Sequence, residues 1–202
     1  ARVTAKIAVG MTLDEIKIGN ILAACEPALD YVVTKMPRFP FDKFVSANNK
    51  LGTQMKATGE VMSLGRTFEE SLLKAVRSLE IGVNHIYMKK FDEYTQEQLM
   101  DYIKDGTDDR IYAIAKLLEY GADSGRIWSA TKIDMFFLEK LRNIVHMQST
   151  IKNAVKDLDV LRHAKKMGFS DAYIASLWNC PEIDVWPLRE QNDIFPVYKM
   201  ID

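Results

Sequence analysis

The sequence has few of the residues and patterns that mark specialised classes of protein. Its two cysteines, Cys25 and Cys180, stand far apart in 202 residues, with no CxxC or Cys/His spacing. This usage indicates reduced thiols in the cytoplasm rather than a disulfide framework or a zinc site. No apolar run approaches the roughly 20 residues that span a bilayer, and residues 1–10 lack the layout of a signal peptide. We therefore expect a cytoplasmic protein without a membrane partner.

Neither sign of charge is in excess. The chain has 27 basic and 28 acidic residues and a net charge of −1. A nucleic-acid-binding domain usually has a basic excess on one face, so this balance predicts no nucleic-acid partner. With 48% hydrophobic residues, the chain is typical of a globular protein of one or two domains.

Residues 41–70 have a pattern that differs from the rest of the chain. Glu60 to Gly65 is short, partly alternating and bounded by glycine, which predicts a buried strand. Thr67 then stands three residues before Glu70, the spacing of a capping box at the start of a helix. Upstream, Tyr31 to Thr34 predicts a second strand, stopped by Pro37 and Pro40.

Helical patterns account for most of the remaining chain. A helix is predicted from Phe68 to Leu79, and Thr12 with Glu15 predicts the cap of a short helix near the beginning. From Asn84 onward no strand is expected. The predicted helices there are Thr95 to Lys104, Asp109 to Tyr120, a long one from Ser129 or Thr131 to Thr150, two that meet around Gly168 with Ser170 as a cap, and a last one opened by Pro181 and broken at Pro187. Phe136 and Phe137 stand at helical spacing on the long helix and are expected to be core or interface anchors.

The most specific pattern is the run LGTQMKATGEVM at residues 51–62. With Lys43-Phe44 before it, and Gly65-Arg66-Thr67 and Glu70-Ser71-Leu72 after it, this run closely resembles the large chain of carbamoyl-phosphate synthase. The segments YVVTKMPRF at 31–39 and FPVYK at 195–199 extend the resemblance. It implies a fragment of mainly α fold. Residues 1–81 would be a small α+β remnant of the first ATP-grasp unit, 82–194 an all-α helical oligomerisation domain, and 195–202 the start of the next domain.

The resemblance also implies a function. The family is an ATP-dependent ligase that makes carbamoyl phosphate from bicarbonate, ammonia and two ATP for arginine and pyrimidine synthesis. Its implied partners are the remainder of the large chain, a glutaminase small subunit and further copies bound through the helical domain. Thr53 would lie beside the first nucleotide site, and Met55 and Glu60 on the wall of the carbamate tunnel. A carboxylate beside arginine suits a polar passage, and methionine gives an adaptable apolar wall.

The intact enzyme needs ATP and Mg²⁺, but this sequence lacks the parts that hold them. An ATP-grasp unit uses a glycine-rich loop, a lysine and a Glu-x-Asn pair for the metal. None of these is found in the corresponding part of the chain. Glu190 to Asn192 matches Glu-x-Asn literally, yet it lies at a predicted helix end and is expected to be solvated. We therefore predict no catalytic or metal-binding residue and an inactive fragment.

Other interpretations stay open. Met55 and Met62 are also suited to filling a core, with Glu60 as a structural ion-pair partner. The histidines His85, His146 and His163 show no motif and are expected to be surface or packing residues. The tryptophans Trp128, Trp178 and Trp186 are expected to be core or interface anchors rather than a platform for stacking bases. The alternative function is a helix-turn-helix-like module around Gly168, with Arg162, Lys165 and Lys166 on nucleic-acid phosphates.

Overall fold

The structure, a computed structural model, describes residues 1–26, 28–44 and 46–199. Its contacts divide the chain into two units, residues 1–30 and 31–202. The described residues are about 48% helical, with two small two-stranded sheets. The predicted fold class, mainly α with a small α+β part, is confirmed.

The first unit contains one helix and one short hairpin. Helix α1 spans Arg2–Ala8, and the antiparallel strands β1 and β2 span Lys17–Ile18 and Ile21–Leu22. The helix predicted after Thr12 does not form. The Thr12 hydroxyl donates to the Glu15 carboxylate at 3.0 Å instead of accepting from a helix-start amide, so the pair closes a turn.

The second unit begins with a two-stranded antiparallel sheet. Strand β3, Val32–Arg38, pairs with β4, Gly59–Gly65, from Val32 opposite Gly65 to Arg38 opposite Gly59. A short 3-10 helix, Pro40–Asp42, follows β3. The prediction that Pro37 stops the strand is wrong. In a two-stranded sheet every second amide faces away from the partner strand, so a proline is tolerated within either strand.

Strand β4 is packed on one face only. Ser63 and Gly65 are buried, whereas Glu60, Met62 and Leu64, whose side chains alternate with them, are exposed. The strand was predicted correctly, but its burial was not. Alternation in an antiparallel sheet with one covered face explains the difference.

Helix α2, Phe68–Ser78, covers that sheet and also contacts the helices that follow. The Thr67 hydroxyl accepts from the Glu70 amide at 3.2 Å, as predicted. The Glu70 carboxylate reaches one residue further than a capping box requires, to the Arg66 amide at 2.8 Å. Leu72, Leu73 and Val76 form the buried face.

Helices make up the rest of the described chain. Two are 3-10 segments, Lys89–Glu93 and Glu182–Asp184. The α-helices are α3 Gln96–Tyr102, α4 Arg110–Glu119, α5 Ser124–Thr131, α6 Met135–Asn153, α7 Leu158–Lys166, α8 Asp171–Trp178 and α9 Val185–Glu190. Helix α6 contacts α2, α4, α5, α7 and α8, so it is the centre of the helical core. No helix in the described ranges is long and apolar enough to cross a membrane.

The predicted long helix is two helices. Lys132 has a left-handed conformation, with φ of 59°, and ends α5. Asp134 then begins α6, because its carboxylate accepts from the Phe136 amide at 2.8 Å. The predicted break at Pro187 does not occur, because α9 continues through that residue. Pro187 is the third residue of α9, where its missing N–H removes no intrahelical hydrogen bond.

The sequence predicted three parts, with boundaries at residues 81 and 194. This division stays a prediction. Residues 195–199 form no helix or strand, and residues 200–202 of the expected next domain lie outside the described residues.

Gly65 is the tightest point between sheet and helix. A Cβ added there would lie 2.7 Å from the Ser71 backbone nitrogen and 3.1 Å from the Glu70 Cβ. We expect Gly65→Ala to lower the free energy of unfolding by about 1–3 kcal/mol, because backbone must shift to admit the methyl group. Gly59→Ala, in the same strand with open space around it, is the control. Urea unfolding measures both, and equal stabilities would contradict the packing described here.

Candidate functional site

The segment that contains Thr53 and Met55 is an exposed loop between the 3-10 helix Pro40–Asp42 and β4. Thr53 is exposed, and 93% of Met55 is accessible. The Lys56 ammonium closes the loop by donating to the carbonyl oxygens of Asn48 at 2.8 Å and Lys50 at 2.5 Å. The loop therefore has a defined path although its side chains point to solvent.

Glu60 follows on β4. Its carboxylate lies 2.9 Å from the Lys35 ammonium on the paired strand, and both side chains are more than half exposed. The paired cation is a lysine, where the sequence argument had considered an arginine. Exposed pairs of this kind contribute about 0–1 kcal/mol, so stability does not explain the carboxylate.

The three site residues predicted from the sequence, Thr53, Met55 and Glu60, are all exposed, but no hydrogen bond or ion pair joins them in the part of the chain that the structure describes. Met55 and Met62, 93% and 65% exposed, do not fill the core of this chain. Their role as tunnel or nucleotide-site residues stays a prediction.

The literal Glu-x-Asn match has a structural role. It lies at the end of α9, where the Asn192 amide donates to the Leu188 carbonyl oxygen at 2.8 Å. Its backbone carbonyl oxygen accepts from Arg162 at 3.0 Å. The side-chain amide and the backbone carbonyl oxygen of Asn192 are thus used in contacts within the chain. No group of three His, Cys, Asp or Glu side chains suited to a metal occurs in the described part of the chain.

Exposed aromatic side chains cluster at the start of α6. Phe136 and Phe137 at the start of α6 are 55% and 44% exposed, so of the two roles expected for them the core role does not apply within this chain, and the interface role stays a prediction. Phe68, the first residue of α2, packs against both, with ring centroids 6.3 Å from Phe136 and 5.4 Å from Phe137. We call Phe68, Met135, Phe136 and Phe137 the α6 aromatic surface.

The positions of these residues around the α6 axis account for their exposure. Leu138, Leu141 and Val145 occupy the buried stripe, and Phe136 lies on the opposite side of the helix from them. Phe137, four residues before Leu141, lies at the N-terminal end of the stripe, where 44% of its side chain is accessible. The Lys140 ammonium lies 5.5 Å from the Phe136 ring, which leaves a cation at the edge of the surface. Sequence periodicity did not reveal this, because apolar residues surround the first turn of α6.

A buried aspartate organises the turn before α4. Asp109 accepts from the Tyr102 hydroxyl and the Thr107 hydroxyl, each at 2.7 Å, and from the Lys90 ammonium. Burial alone raises the pKa of the Asp109 carboxyl. The three hydrogen bonds outweigh burial and hold that pKa below its ordinary value. Sequence reasoning missed this cluster, because its members converge only in the fold.

The Lys165 ammonium near Gly168 makes contacts within the chain. Lys165, placed on phosphate in the helix-turn-helix interpretation, donates to the Phe169 carbonyl oxygen at 2.7 Å and pairs with Asp171 at 2.9 Å. Its burial lowers the pKa of the Lys165 ammonium despite that pairing. An ammonium committed to an internal carboxylate is poorly placed for a nucleic-acid backbone, which disfavours that alternative.

His85 is the most perturbed histidine. Its ring stacks on Tyr173 at 3.8 Å and lies 4.8 Å from Phe169. Neither ring nitrogen has a hydrogen-bond partner among the described residues. Burial, and next the nearby Arg77 charge, lower the pKa of His85 from 6.5 to about 3. His146 and His163 are exposed, so the expected packing or surface roles describe all three.

This pKa makes stability depend on pH. Because the folded pKa of His85 lies below its unfolded value, the stabilisation is complete above about pH 6.5 and is lost as pH falls toward 3. Two pH units below 6.5 the loss is about 2–3 kcal/mol. We expect His85→Phe to remove this component from urea unfolding compared at pH 7 and 4.5. His163→Gln, an exposed control, should keep the full difference in unfolding free energy between pH 7 and 4.5. The same difference in His85→Phe would contradict the assignment.

Comparison with known families agrees with these observations. Residues 60–193 match the family described as carbamoyl-phosphate synthetase large chain, oligomerisation domain. The match covers about two thirds of the chain and includes β4, every helix from α2 to α9 and the α6 aromatic surface, while Thr53 and Met55 lie before it. The chain therefore belongs to the carbamoyl-phosphate synthetase large-chain family, a family of ligases, through its oligomerisation domain.

Proposed function

We propose that the helical part of this chain joins copies of a carbamoyl-phosphate synthase large chain. The observation that carries the proposal is the α6 aromatic surface, an exposed set of ring contacts in a domain family named for oligomerisation. Clustered exposed apolar side chains usually mark interaction sites, because leaving them in water forgoes the free energy of burial.

A second copy is the partner that the surface fits best. A two-fold axis through the surface brings the same residues of both copies together, the commonest geometry of homo-oligomers. Phe136 and Phe137 lie at 5.3 Å in an edge-to-face pair, so each copy presents both a ring face and a ring edge. This is the complementarity that aromatic pairs need.

The parent enzyme is proposed to make carbamoyl phosphate from bicarbonate, ammonia and two ATP in the cytoplasm, for arginine and pyrimidine synthesis. A glutaminase small subunit would supply the ammonia. ATP and Mg²⁺ would be held by other segments of the large chain. This chain alone is expected neither to hydrolyse nor to bind ATP tightly, which calorimetry with Mg-ATP tests.

Thr53, Met55 and Glu60 are proposed to face other parts of the large chain. Thr53 would lie beside the first nucleotide, and Met55 and Glu60 would line the carbamate passage. The support is that these side chains are exposed and contribute little to the stability of this chain. Met55 is 93% accessible, and the Lys35–Glu60 pair is an exposed one. A thioether wall with a neutralised carboxylate gives a passage that does not trap its ligand.

Association is tested by changing the α6 aromatic surface. We expect Phe136→Asp to weaken self-association at least about tenfold, because a charge replaces a ring at the contact. Tyr120→Ala, an exposed aromatic residue at the end of α4, is the control and should associate normally. Sedimentation over a concentration series measures both. A monomer at every concentration in the unaltered chain, or normal association of Phe136→Asp, would contradict the proposal.

The tunnel assignment is tested in the complete enzyme with Met55→Trp. The added bulk should obstruct transit without removing a ligand of nucleotide or metal. We expect net carbamoyl phosphate synthesis to fall at least about tenfold relative to bicarbonate-dependent ATP hydrolysis, a loss of roughly 1.4 kcal/mol or more. Overpacking does not compete as an explanation within this chain, since Met55 is exposed. Parallel loss of both activities would refute the tunnel role.

A further inference from the structure

We propose that the turn at residues 105–109 in the helical part positions the loop at residues 48–56, and with it Thr53 and Met55. The inference rests on the function proposed for those two residues. It adds that the helical part sets where the loop stands relative to the reaction site, so Lys50, Leu51 and Thr107 are positioning residues.

The first link is made by the main chain. Lys50 and Thr107 form an isolated antiparallel bridge, and the Leu51 amide donates to the Gly106 carbonyl oxygen at 2.6 Å. Backbone bonds of this kind fix both distance and direction between two segments. The loop is therefore attached to a segment 57 residues later in sequence.

An ion pair reinforces the same place. The Lys50 ammonium lies 2.9 Å from the Asp105 carboxylate, and both side chains are more than half exposed. An exposed pair contributes little free energy, so its effect is mainly on register. Lys50 is therefore held through its backbone by the bridge to Thr107 and through its side chain by the ion pair with Asp105.

The loop transmits this position to Met55. Lys56 donates to the Lys50 and Asn48 carbonyl oxygens, and the Asn48 side chain accepts from the Lys50 amide at 2.9 Å. Both ends of the segment that contains Thr53 and Met55 are thus tied at Lys50. Packing contributes little at Met55, which is 93% exposed, so these hydrogen bonds set its place.

The turn is the rigid member of the pair. The Thr107 hydroxyl donates to the buried Asp109, which also binds Tyr102 and Lys90. Asp109 directly precedes α4, whose Ile114 and Leu117 lie in the helical core. Position is therefore imposed by the helices on the loop rather than by the loop on the helices.

The experiment uses the complete large chain with its glutaminase subunit and two matched pairs of variants. Leu51→Pro removes the amide that donates to Gly106, and Leu51→Ala keeps it. Thr107→Val removes the hydroxyl that donates to Asp109, and Thr107→Ser restores it. Hydrogen exchange of a peptide spanning residues 48–58 reports the loop. The ratio of net synthesis to bicarbonate-dependent ATP hydrolysis reports positioning.

We expect exchange of that peptide to accelerate about fivefold in Leu51→Pro and Thr107→Val, the factor that one net hydrogen bond provides. The ratio should fall by a similar factor, while Leu51→Ala and Thr107→Ser stay near the unaltered protein. Unchanged exchange, or faster exchange with an unchanged ratio, overturns the proposal. If Met55→Trp leaves the ratio intact while Leu51→Pro lowers it, the tunnel role of Met55 fails and the positioning role stands.

Discussion

The packing of α2 on two sides is the interaction on which the rest of the second unit depends. Toward the sheet, the buried Ser71 hydroxyl meets the Thr34 hydroxyl of β3 at 2.6 Å. Toward the helices, the buried Glu69 carboxylate accepts from the Asn143 amide on α6 at 2.9 Å. A two-stranded sheet is at best marginally stable alone, so β3 and β4 persist because α2 fastens them to the helical core.

The same helix also fixes the corner between α7 and α8. Arg77 donates to the Gly168 carbonyl oxygen at 2.6 Å. Gly168 has a φ of 92°, and a Cβ there would lie 3.1 Å from the Glu70 Cα, so glycine serves both the turn and the close approach. Helix α2 contains Phe68 of the α6 aromatic surface and also packs against β4, the strand that contains Glu60. The surface proposed for association and the strand of Glu60 are therefore parts of one packed body.

Local signals in the sequence predicted most of the elements. Thr95 with Gln98 forms the capping box that begins α3, and Ser170 accepts from the Tyr173 amide at the start of α8. Donor and acceptor of such a signal are only three residues apart, so it can be recognised without tertiary context, although Thr12 with Glu15 has the same spacing and closes a turn instead. The end of α5 escaped this reasoning, because Ile133 continues the helical apolar spacing across the left-handed Lys132.

The long-range arrangements could not be predicted in this way. The partners of Asp109 lie 2 to 19 residues away, and the aromatic neighbours of His85 lie more than 80 residues later. Their chemistry depends on which surfaces the core brings together. The exposure of Phe136 belongs to the same class, since composition marks an apolar residue but not whether a subunit or a core covers it. The family resemblance supplied the functional context that the residues alone did not.

Native-state hydrogen exchange of this chain tests most directly whether α2 unites sheet and helices. If it does, the most protected amides of β4, such as that of Met62 or Ser63, exchange with the same opening free energy as those of Ile144 and Val145 in α6. Both groups should also lose protection together as urea is added. A β4 that opens with a free energy lower by about 2 kcal/mol or more, while α6 stays protected, would show two separate folding units and contradict the account.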